Sequence, residues 1–469
     1  MESRKGNTYR LNKLEKRRLR SKAKKRLANI KKHKAKSLIY QIYRIIHHYF
    51  PTLFDRMKEI EDYRKKKNYE LAELITACIA MYIFKEGSRN AFNNDRQEEK
   101  FKQNYQRIFK MRLPHMDTVD KVMRRLTDSE LEEIKTSMIR TLIEKKTLHK
   151  YRFLKKWFVV AVDGSGIMSF TKKHCDQCSH KSSKNGKTTW FHNVLEAKLV
   201  CSNGFALSLA TEWIDHYDSP FKKQDCERKA FKRLAKKLKK IHPRLPICIT
   251  ADGLYPNQTF FSICENNQWS YILTFKEGNL PSIWKIVKVL LPSMTDNGAD
   301  EIIAEGSKKI YRFYRWINGI EYHGYKLNWV ECKEFEEDSK GNKIESGYFV
   351  HITDQNISRL EVSEISSTGR LRWKIENEGF NTQKNLGYNL KHKYSRVSWL
   401  AAKNYYQCLQ IGHLINQLVE LSEMTKQLLT GKITIKHLWK ALIGFLTYCI
   451  VDCAQIPMLS QLRTQIRLE

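Results

Sequence analysis

The sequence predicts a mixed α/β protein, with a sheet in the middle of the chain and helices before and after it. Apolar residues recur at helical spacing from residue 37 to about residue 150, and again from Trp399 onward. Between these regions, residues 158–162 form a continuous apolar run that suits a strand buried on both faces. Residues 285–360 alternate in polarity and carry 11 Lys and Arg against 12 Asp and Glu, which indicates a β-rich insertion.

The central region follows the predicted order β-β-β-α-β-α-β. Ser202-Asn203-Gly204 predicts the turn of an antiparallel hairpin between the second and third strands. The other assignments depend on apolar runs for strands and on helical spacing for helices. The predicted strands are residues 158–163, 188–200, 205–214, 245–252 and 269–275, with insertion strands around 310–316, 322–332 and 347–353; the predicted helices are residues 222–241, 257–265 and 368–384.

The charge of the chain is strongly positive. The 85 Lys and Arg outnumber the 50 Asp and Glu, for a formal net charge of +35. Such an excess indicates a polyanionic partner, and nucleic acid is the leading one. Residues 1–36 contain 16 Lys and Arg and only two Glu. This segment is predicted to be an arm that binds DNA, and the alternative is a solubilising tail.

These changes of pattern and charge divide the chain into six predicted regions. They are a basic DNA-binding arm, a helical N-terminal DNA-binding domain, the first part of an α/β core, the β-rich insertion, the second part of the core and a helical C-terminal region. The regions span residues 1–36, 37–150, 151–284, 285–360, 361–396 and 397–469, in that order.

Sequence features also predict the compartment. The first residues contain no apolar signal segment. The longest uncharged apolar run, residues 441–451, is 11 residues long and is predicted to be a buried helix, because a spanning helix needs about 20. Eleven thinly spread cysteines suit reduced thiols better than a disulfide framework. The expectation is a cytoplasmic protein, associated with the nucleoid, with no membrane partner.

Two acids follow buried strands of the predicted sheet. Asp163 and Asp252 each end an apolar run, so they are expected to meet at one sheet edge, where open α/β sheets place their sites. Two buried carboxylates repel, and a divalent metal ion is their natural counter-charge. The alternative is a pair of solvent-facing strand ends with no joint role. Metabolite and protein hydrolysis are disfavoured, because no G-x-S-x-G, H-E-x-x-H or P-loop motif is present.

A third candidate acid lies on the helix predicted over residues 368–384. At about 100° per residue, Arg372 shares the face of Glu376, whereas Glu378 points about 200° away from it. Only one of the two glutamates can therefore face the strands. The alternative explanation is an ordinary surface pair of Glu and Arg. Asp225 and Glu227, on the basic helix, are expected to cap or to form salt bridges rather than to bind metal.

These three acidic motifs resemble the DDE triad of bacterial insertion-sequence transposases. Val162-Asp163-Gly164 and Ala251-Asp252 each follow a strand, and Arg372-Trp373-x-Ile375-Glu376 lies on a helix. Asp163 and Asp252 are 89 residues apart, and Asp252 and Glu376 are 124 residues apart. The second interval contains the β-rich insertion, and this arrangement is similar to the IS-four-like family. The resemblance covers about residues 157–390. It implies an RNase H-like, retroviral-integrase-like catalytic core with a mixed sheet, interrupted by a β-rich insertion and flanked by helical N-terminal and C-terminal regions.

The resemblance also implies a reaction, namely cut-and-paste cleavage and strand transfer of an insertion sequence by two-metal catalysis. Asp163 would bridge two Mg²⁺ roughly 4 Å apart, with Asp252 and Glu376 holding one ion each, and Mn²⁺ would substitute. The partners would be the terminal inverted repeats of the element and target DNA, bound by a homodimer. The alternatives are an RNase H-like nuclease without strand transfer and a catalytically inactive, domesticated DNA-binding protein.

Further family positions give the DNA-binding candidates. The family has a Tyr seven residues before the Glu, an Arg four before it and a Lys seven after it. Arg372 matches, but Gly369 and Gln383 occupy the other two positions, and Lys384 follows one residue late. Trp373 matches a tryptophan that handles flipped bases at a DNA end, and a core tryptophan is the alternative. Arg372, Trp373 and Lys384 are therefore predicted to contact DNA.

A separate cluster contains soft metal ligands. Cys175 and Cys178 have the C-x-x-C spacing of zinc sites, with His174 and His180 beside them and His192 and Cys201 further along. Because the second half of a zinc motif is missing, the alternative is a loop with free thiols. Cys175 and Cys178 are the candidate zinc ligands.

Overall fold

The fold comes from a computed structural model, which describes residue 21 and residues 34–215, 225–305, 308–337, 342–429 and 431–452. The predicted basic arm at residues 1–36 lies almost wholly outside the described residues, and so does the start of the helix predicted over residues 222–241.

The described residues form helices and ten strands. The strands are β1 (Phe158–Phe170), β2 (Ser179–Ser182), β3 (Thr188–Val200), β4 (Ala206–Ile214), β5 (Ile247–Ala251), β6 (Ser270–Thr274), β7 (Gly298–Glu305), β8 (Lys308–Tyr322), β9 (Tyr325–Glu337) and β10 (Lys343–Thr353). The α-helices are α1 (Lys34–Tyr49), α2 (Leu53–Lys58), α3 (Leu71–Ile83), α4 (Arg89–Gln97), α5 (Glu99–Phe109), α6 (Met116–Met123), α7 (Asp128–Glu144), α8 (Glu227–Ile241), α9 (Gln258–Asn267), α10 (Pro281–Leu290), α11 (Val362–Arg370), α12 (Thr382–Asn385), α13 (Trp399–Glu420), α14 (Glu423–Leu428) and α15 (Ile435–Tyr448). A π-helical segment (Ile375–Asn381) lies between α11 and α12.

The chain folds as two compact units. The smaller one takes in residues up to Pro51, Asn93–Leu113 and residues from Ile415 onward, and the larger one takes in Thr52–Phe92 and Pro114–Leu414. The predicted helical region at residues 37–150 therefore contributes to both units. No helix of the described ranges combines the length and the apolar character that crossing a bilayer requires.

The smaller unit contains α15, which packs against α1 and α5. Asn104 of α5 is fully buried, and its amide nitrogen donates to the carbonyl oxygens of Leu446 (2.8 Å) and Cys449 (2.7 Å). These bonds satisfy carbonyl groups at the end of α15 that have no partner within the helix. The run at residues 441–451 is not a wholly buried helix as predicted, because α15 ends at Tyr448, which is mostly exposed.

The larger unit contains a mixed sheet in the order β2-β3-β1-β5-β6-β10-β9-β8-β7, with β4 also paired to β3. β1, β5 and β6 are parallel neighbours, and the remaining pairs are antiparallel. The predicted order β-β-β-α-β-α-β is confirmed, with the short β2 as an addition. The predicted hairpin is also present as β3 and β4. The strands of the β-rich segment continue the central sheet from β6 through β10.

Two predicted elements differ from the structure near the candidate site. The prediction that the first strand ends at Asp163 is wrong, because β1 continues to Phe170 by pairing with β3 after it has parted from β5. The prediction of one regular helix over residues 368–384 is also wrong. Instead, α11 begins at Val362 and ends at Arg370, and the chain then passes through the π-helical segment.

A network of buried charges joins β3, β4 and α7. Lys135, Glu196 and Lys198 are each fully buried. The hydroxyls of Ser208 and Thr211 donate to the two carboxylate oxygens of Glu196, at 2.7 and 2.5 Å. The Lys135 ammonium donates to the same two hydroxyls at 2.8 and 2.9 Å, and Lys198 Nζ lies 3.8 Å from Glu196 Oε2. Glu196 thus faces two ammonium groups inside the fold, and Glu132 Oε1 also lies 3.7 Å from Lys135 Nζ.

Candidate active site

The structure brings Asp163 and Asp252 to the same level of two adjacent strands. β1 and β5 pair in parallel up to Ala161 and Thr250. Asp163 lies two residues after Ala161, and Asp252 lies two residues after Thr250. Because side chains alternate along a strand, both aspartates follow the face that Ala161 and Thr250 occupy. Paired strands are about 4.8 Å apart, so the backbones of the two aspartates lie close together where the strand pairing ends.

Backbone amides hold one oxygen of each aspartate. The N–H of Gly164 donates to Asp163 Oδ1, and the N–H of Leu254 donates to Asp252 Oδ1, each at 2.9 Å. Both bonds are local, so the backbone next to each acid orients its carboxylate. The second oxygen of each group is then left to face other ligands.

The third acid reaches this sheet edge through α11 and the π-helical segment. The Thr250 hydroxyl donates to the Gly369 carbonyl at 3.3 Å, which places the end of α11 against β5 two residues before Asp252. A Cβ on Gly369 would lie 2.6 Å from the buried ring of His351. There is consequently no room at position 369 for the tyrosine that the resembling family has there.

The charge of Glu376 raises the pKa of Asp163, whereas Glu378 pairs elsewhere. Arg372 is buried, donates to Glu376 Oε1, and stacks its guanidinium 4.3 Å from the ring centroid of Trp373. Glu378 pairs instead with Lys374 at 2.5 Å, in line with its predicted orientation. Trp373 is half exposed, so it is not a core residue.

The π-helical segment also accounts for the late position of Lys384. A π turn takes one more residue than an α turn. Lys384, eight residues after Glu376, therefore takes the position that the seventh residue after Glu376 would have in a regular α-helix. Gln383 is fully buried and donates to Gln410 Oε1 at 2.9 Å, away from the site. Burial lowers the pKa of Lys384, and the nearby negative charges of Asp163 and Glu376 act in the opposite direction.

A fourth carboxylate, which the sequence interpretation assigned to capping or pairing, adjoins the aspartates. Asp225 does pair with Arg233 at 2.6 Å. Glu227 lies in the first turn of α8, as a capping role requires, and a Cβ on Gly164 would lie only 2.4 Å from Glu227 Oε1. Glu227 is the first residue of α8 and thus contacts the residue next to Asp163. The one sequence signal was the glycine after Asp163, which leaves space for a neighbouring side chain.

The four acids share one electrostatic environment. Burial raises the pKa of Asp163 to about 7; the charges of Glu376 and Glu227 add to this, and the Gly164 N–H and Arg372 oppose it. Burial also raises the pKa of Glu227, with a further contribution from Asp252. Such crowding of half-buried carboxylates is typical of sites that bind a cation or move a proton.

Tyr255 closes the same environment from one side. Its ring is buried, and its hydroxyl has no hydrogen-bond partner among the described residues. Burial raises its pKa well above the usual value, and the charges of Glu227, Asp163 and Asp252 add to the increase. A buried hydroxyl beside carboxylates needs a partner such as water or a ligand, which fits a hydrated cation at this place.

The donor set suits Mg²⁺, which prefers carboxylate oxygens and water. In the described part of the chain, however, the only group of three or more potential metal ligands with all ligand atoms within 4.8 Å consists of His174, Cys175, Cys178 and His192. A single ion would draw its ligands that close together. Among the described residues, the acids at this sheet edge do not form such a close group.

The acidic site thus consists of Asp163, Glu227, Asp252 and Glu376, with Arg372, Trp373 and Lys384 beside it. Comparison with known proteins leaves the chain without a match, since no family model and no curated protein matches it.

Proposed function

We propose that the chain is a DDE-type DNA transposase with an RNase H-like core and a β-rich insertion of the IS-four-like kind. The observation that most supports this is the meeting of three acids from distant parts of the chain. Asp163 and Asp252 leave adjacent parallel strands at one level, and the charge of Glu376 reaches Asp163. The RNase H-like assignment itself depends on the sequence resemblance and on the strand order.

In this proposal Asp163, Asp252 and Glu376 hold two Mg²⁺, for which Mn²⁺ would substitute. The ions would activate water or a 3′ hydroxyl and stabilise the leaving 3′ oxygen. Arg372 orients the Glu376 carboxylate through their ion pair. Glu227 adds negative charge behind the aspartates, and the Lys384 ammonium and the exposed ring of Trp373 are placed to contact a DNA end.

A row of basic side chains supports DNA as the substrate. Arg228, Lys232, Lys236 and Lys240 are exposed at intervals of four residues on α8, so they share one face of the helix. None of them forms an ion pair within the described ranges. Like charges at this spacing destabilise a helix, and a phosphate backbone would relieve the repulsion. The row begins next to Glu227, so bound DNA would pass the acidic site.

This basic row gives a prediction about DNA affinity. The double variant Lys232→Glu/Lys236→Glu is expected to bind double-stranded DNA about 10-fold to 100-fold more weakly at 0.15 M salt, and to reduce the slope of log affinity against log salt by about 2. Fluorescence anisotropy with labelled DNA measures both quantities. The control is Lys436→Glu/Lys440→Glu, which makes the same charge change at two exposed residues four positions apart on α15, outside the regions predicted to bind DNA. Equal losses in the two double variants would show that only net charge matters.

The proposed function is tested with the purified chain, end-labelled DNA that carries the element's terminal repeats, and a target plasmid. We expect strand cleavage in Mg²⁺ or Mn²⁺, no cleavage with a chelator, and transfer of the label into the plasmid. Cleavage without joining would identify a nuclease instead. Binding without cleavage in either metal would identify a DNA-binding protein, and the transposase proposal would then be wrong. A homodimer assembled on paired ends is the expected active species.

A further inference from the structure

We propose that His174, Cys175, Cys178 and His192 bind a structural Zn²⁺. The four side chains come from the loop after β1 and from β3, and their ligand atoms all lie within 4.8 Å of one another. The sequence pattern alone gave only the two cysteines. The fold adds two histidines and so supplies the half of the zinc motif that the sequence lacked.

The distances between the ligand atoms match a tetrahedral zinc site. Cys175 Sγ lies 3.8 Å from Cys178 Sγ, and the two sulfurs lie 3.5 and 3.2 Å from His192 Nε2. With Zn–S bonds near 2.3 Å and Zn–N bonds near 2.0 Å, a tetrahedron places two sulfurs about 3.8 Å apart, and sulfur and nitrogen about 3.5 Å apart. The three atoms are thus already separated as one zinc ion requires.

His174 is oriented to supply the fourth ligand. Its ring stacks on Phe170 with the centroids 4.3 Å apart, and Nε2 lies 2.8 Å from the carbonyl oxygen of Arg396. A carbonyl oxygen can only accept, so Nε2 carries the proton and Nδ1 keeps a free lone pair. Nδ1 is buried and has no hydrogen-bond partner among the described residues. A buried lone pair of this kind is available to a metal ion.

Outer contacts of His192 have the form found around zinc-binding histidines. Its ring is fully buried and stacks on Trp399 with the centroids 3.9 Å apart. Nδ1, on the side opposite the sulfurs, lies 3.8 Å from Asp215 Oδ1. Asp215 in turn accepts hydrogen bonds from Trp399 Nε1 (2.9 Å) and Lys403 Nζ (2.6 Å). At 3.8 Å the Asp215 carboxylate does not hydrogen-bond to the ring, but its negative charge favours a proton on Nδ1 and so leaves Nε2 free for a metal.

The other cysteines and histidines of this region lie outside the group. His180 is exposed on β2 and packs against Trp190, and Cys201 is buried at the end of β3. The proposed ion would fasten the loop after β1 to β3 and, through Asp215 and Trp399, to α13. This inference does not depend on the proposed transposase activity, because none of its ligands belongs to the acidic site.

The test is a zinc measurement on the full chain, purified without chelators. We expect about one zinc per chain by mass spectrometry, and a tetrahedral thiolate spectrum after replacement by Co²⁺. A chelator should lower the thermal midpoint by at least about 5 °C, because a structural metal contributes directly to folding. Cys178→Ser and His174→Ala should lose the zinc, whereas Cys226→Ser and His180→Ala should keep it.

Some results would overturn the proposal without any variant. Wild-type protein that holds no zinc after incubation with Zn²⁺ and dialysis, and whose thermal midpoint a chelator does not change, would exclude the site. A disulfide between Cys175 and Cys178 in freshly purified, zinc-free protein would identify a redox pair instead. If the ligand variants fail to fold, the wild-type zinc content and cobalt spectrum still decide.

Discussion

Glu376→Gln is expected to reduce Mg²⁺-dependent strand cleavage by at least about 10³-fold while leaving DNA affinity within about twofold. The amide keeps the size of the side chain but loses the negative charge that would hold a cation. Asp163→Asn and Asp252→Asn should cause losses of the same order. Single-turnover cleavage of a pre-cut and an uncut DNA end measures the effect, and anisotropy measures binding.

Two neighbouring acids make this series specific. Glu378→Gln is the matched control, because Glu378 lies two residues from Glu376 but pairs with Lys374. It should retain nearly full activity. Glu227→Gln should raise the Mg²⁺ concentration for half-maximal cleavage about 10-fold to 100-fold, as expected for a residue that supports metal ligands. Equal activity of Glu376→Gln and Glu378→Gln would show that the wrong residue has been assigned.

The largest expected effect on stability comes from Glu196→Ala. The substitution leaves the buried Lys198 without its carboxylate partner, and leaves Lys135 with only Glu132, whose Oε1 lies 3.7 Å away. We expect the free energy of unfolding to fall by about 3–5 kcal/mol, which is the usual result of removing one partner of a buried ion pair. Urea denaturation followed by circular dichroism measures it.

Two further variants test the reason for this loss. Glu133→Ala removes an exposed glutamate from the same helix that supplies Lys135, and it should change stability by less than about 0.5 kcal/mol. Adding Lys198→Met to Glu196→Ala should restore part of the loss, since it removes one of the unbalanced charges. If the double variant were less stable than Glu196→Ala alone, an unbalanced charge on the buried Lys198 could not be the cause.

Much of the central sheet was predictable from local patterns. β3 has the predicted limits, because an apolar segment and the Ser202-Asn203-Gly204 turn mark its end. Asp252 could be placed at a strand end for a similar reason, since β5 is short and uniformly buried. The end of β1 could not be predicted, because residues beyond Asp163 have lost β5 as a partner but stay paired with β3, and pairing between distant segments leaves no local signal.

The candidate site depended on features that local periodicity does not report. The π-helical segment changes the register of Lys384 relative to Glu376, and a fixed angle of 100° per residue cannot show it. Glu227 was assigned to capping or salt pairing on the basic helix, and only the fold places it against Gly164. In the same way, His192 joins the two cysteines from a different strand. Each of these contacts is long-range, so tertiary packing determines it.

The central claim is that half-buried acids from two parallel strands and a π-helical segment form one cation site. In metal-free buffer at pH 8, the Asp163→Asn variant should be more stable than the wild type, with a free energy of unfolding about 2–4 kcal/mol higher. The pKa of Asp163 is about 7 in the folded chain, above its value of about 3.9 when unfolded, so stability from this group falls as pH rises between these values. At pH 8 the folded wild type carries the full cost of the buried charge.

Mg²⁺ should then act on only one of the two proteins. At saturating Mg²⁺ we expect the wild type to gain at least about 2 kcal/mol, and Asp163→Asn to gain less than about 0.5 kcal/mol. Urea denaturation at pH 8, with and without Mg²⁺, gives all four values. Equal stability of the two proteins without metal, together with an equal response to Mg²⁺, would contradict a cation site at Asp163.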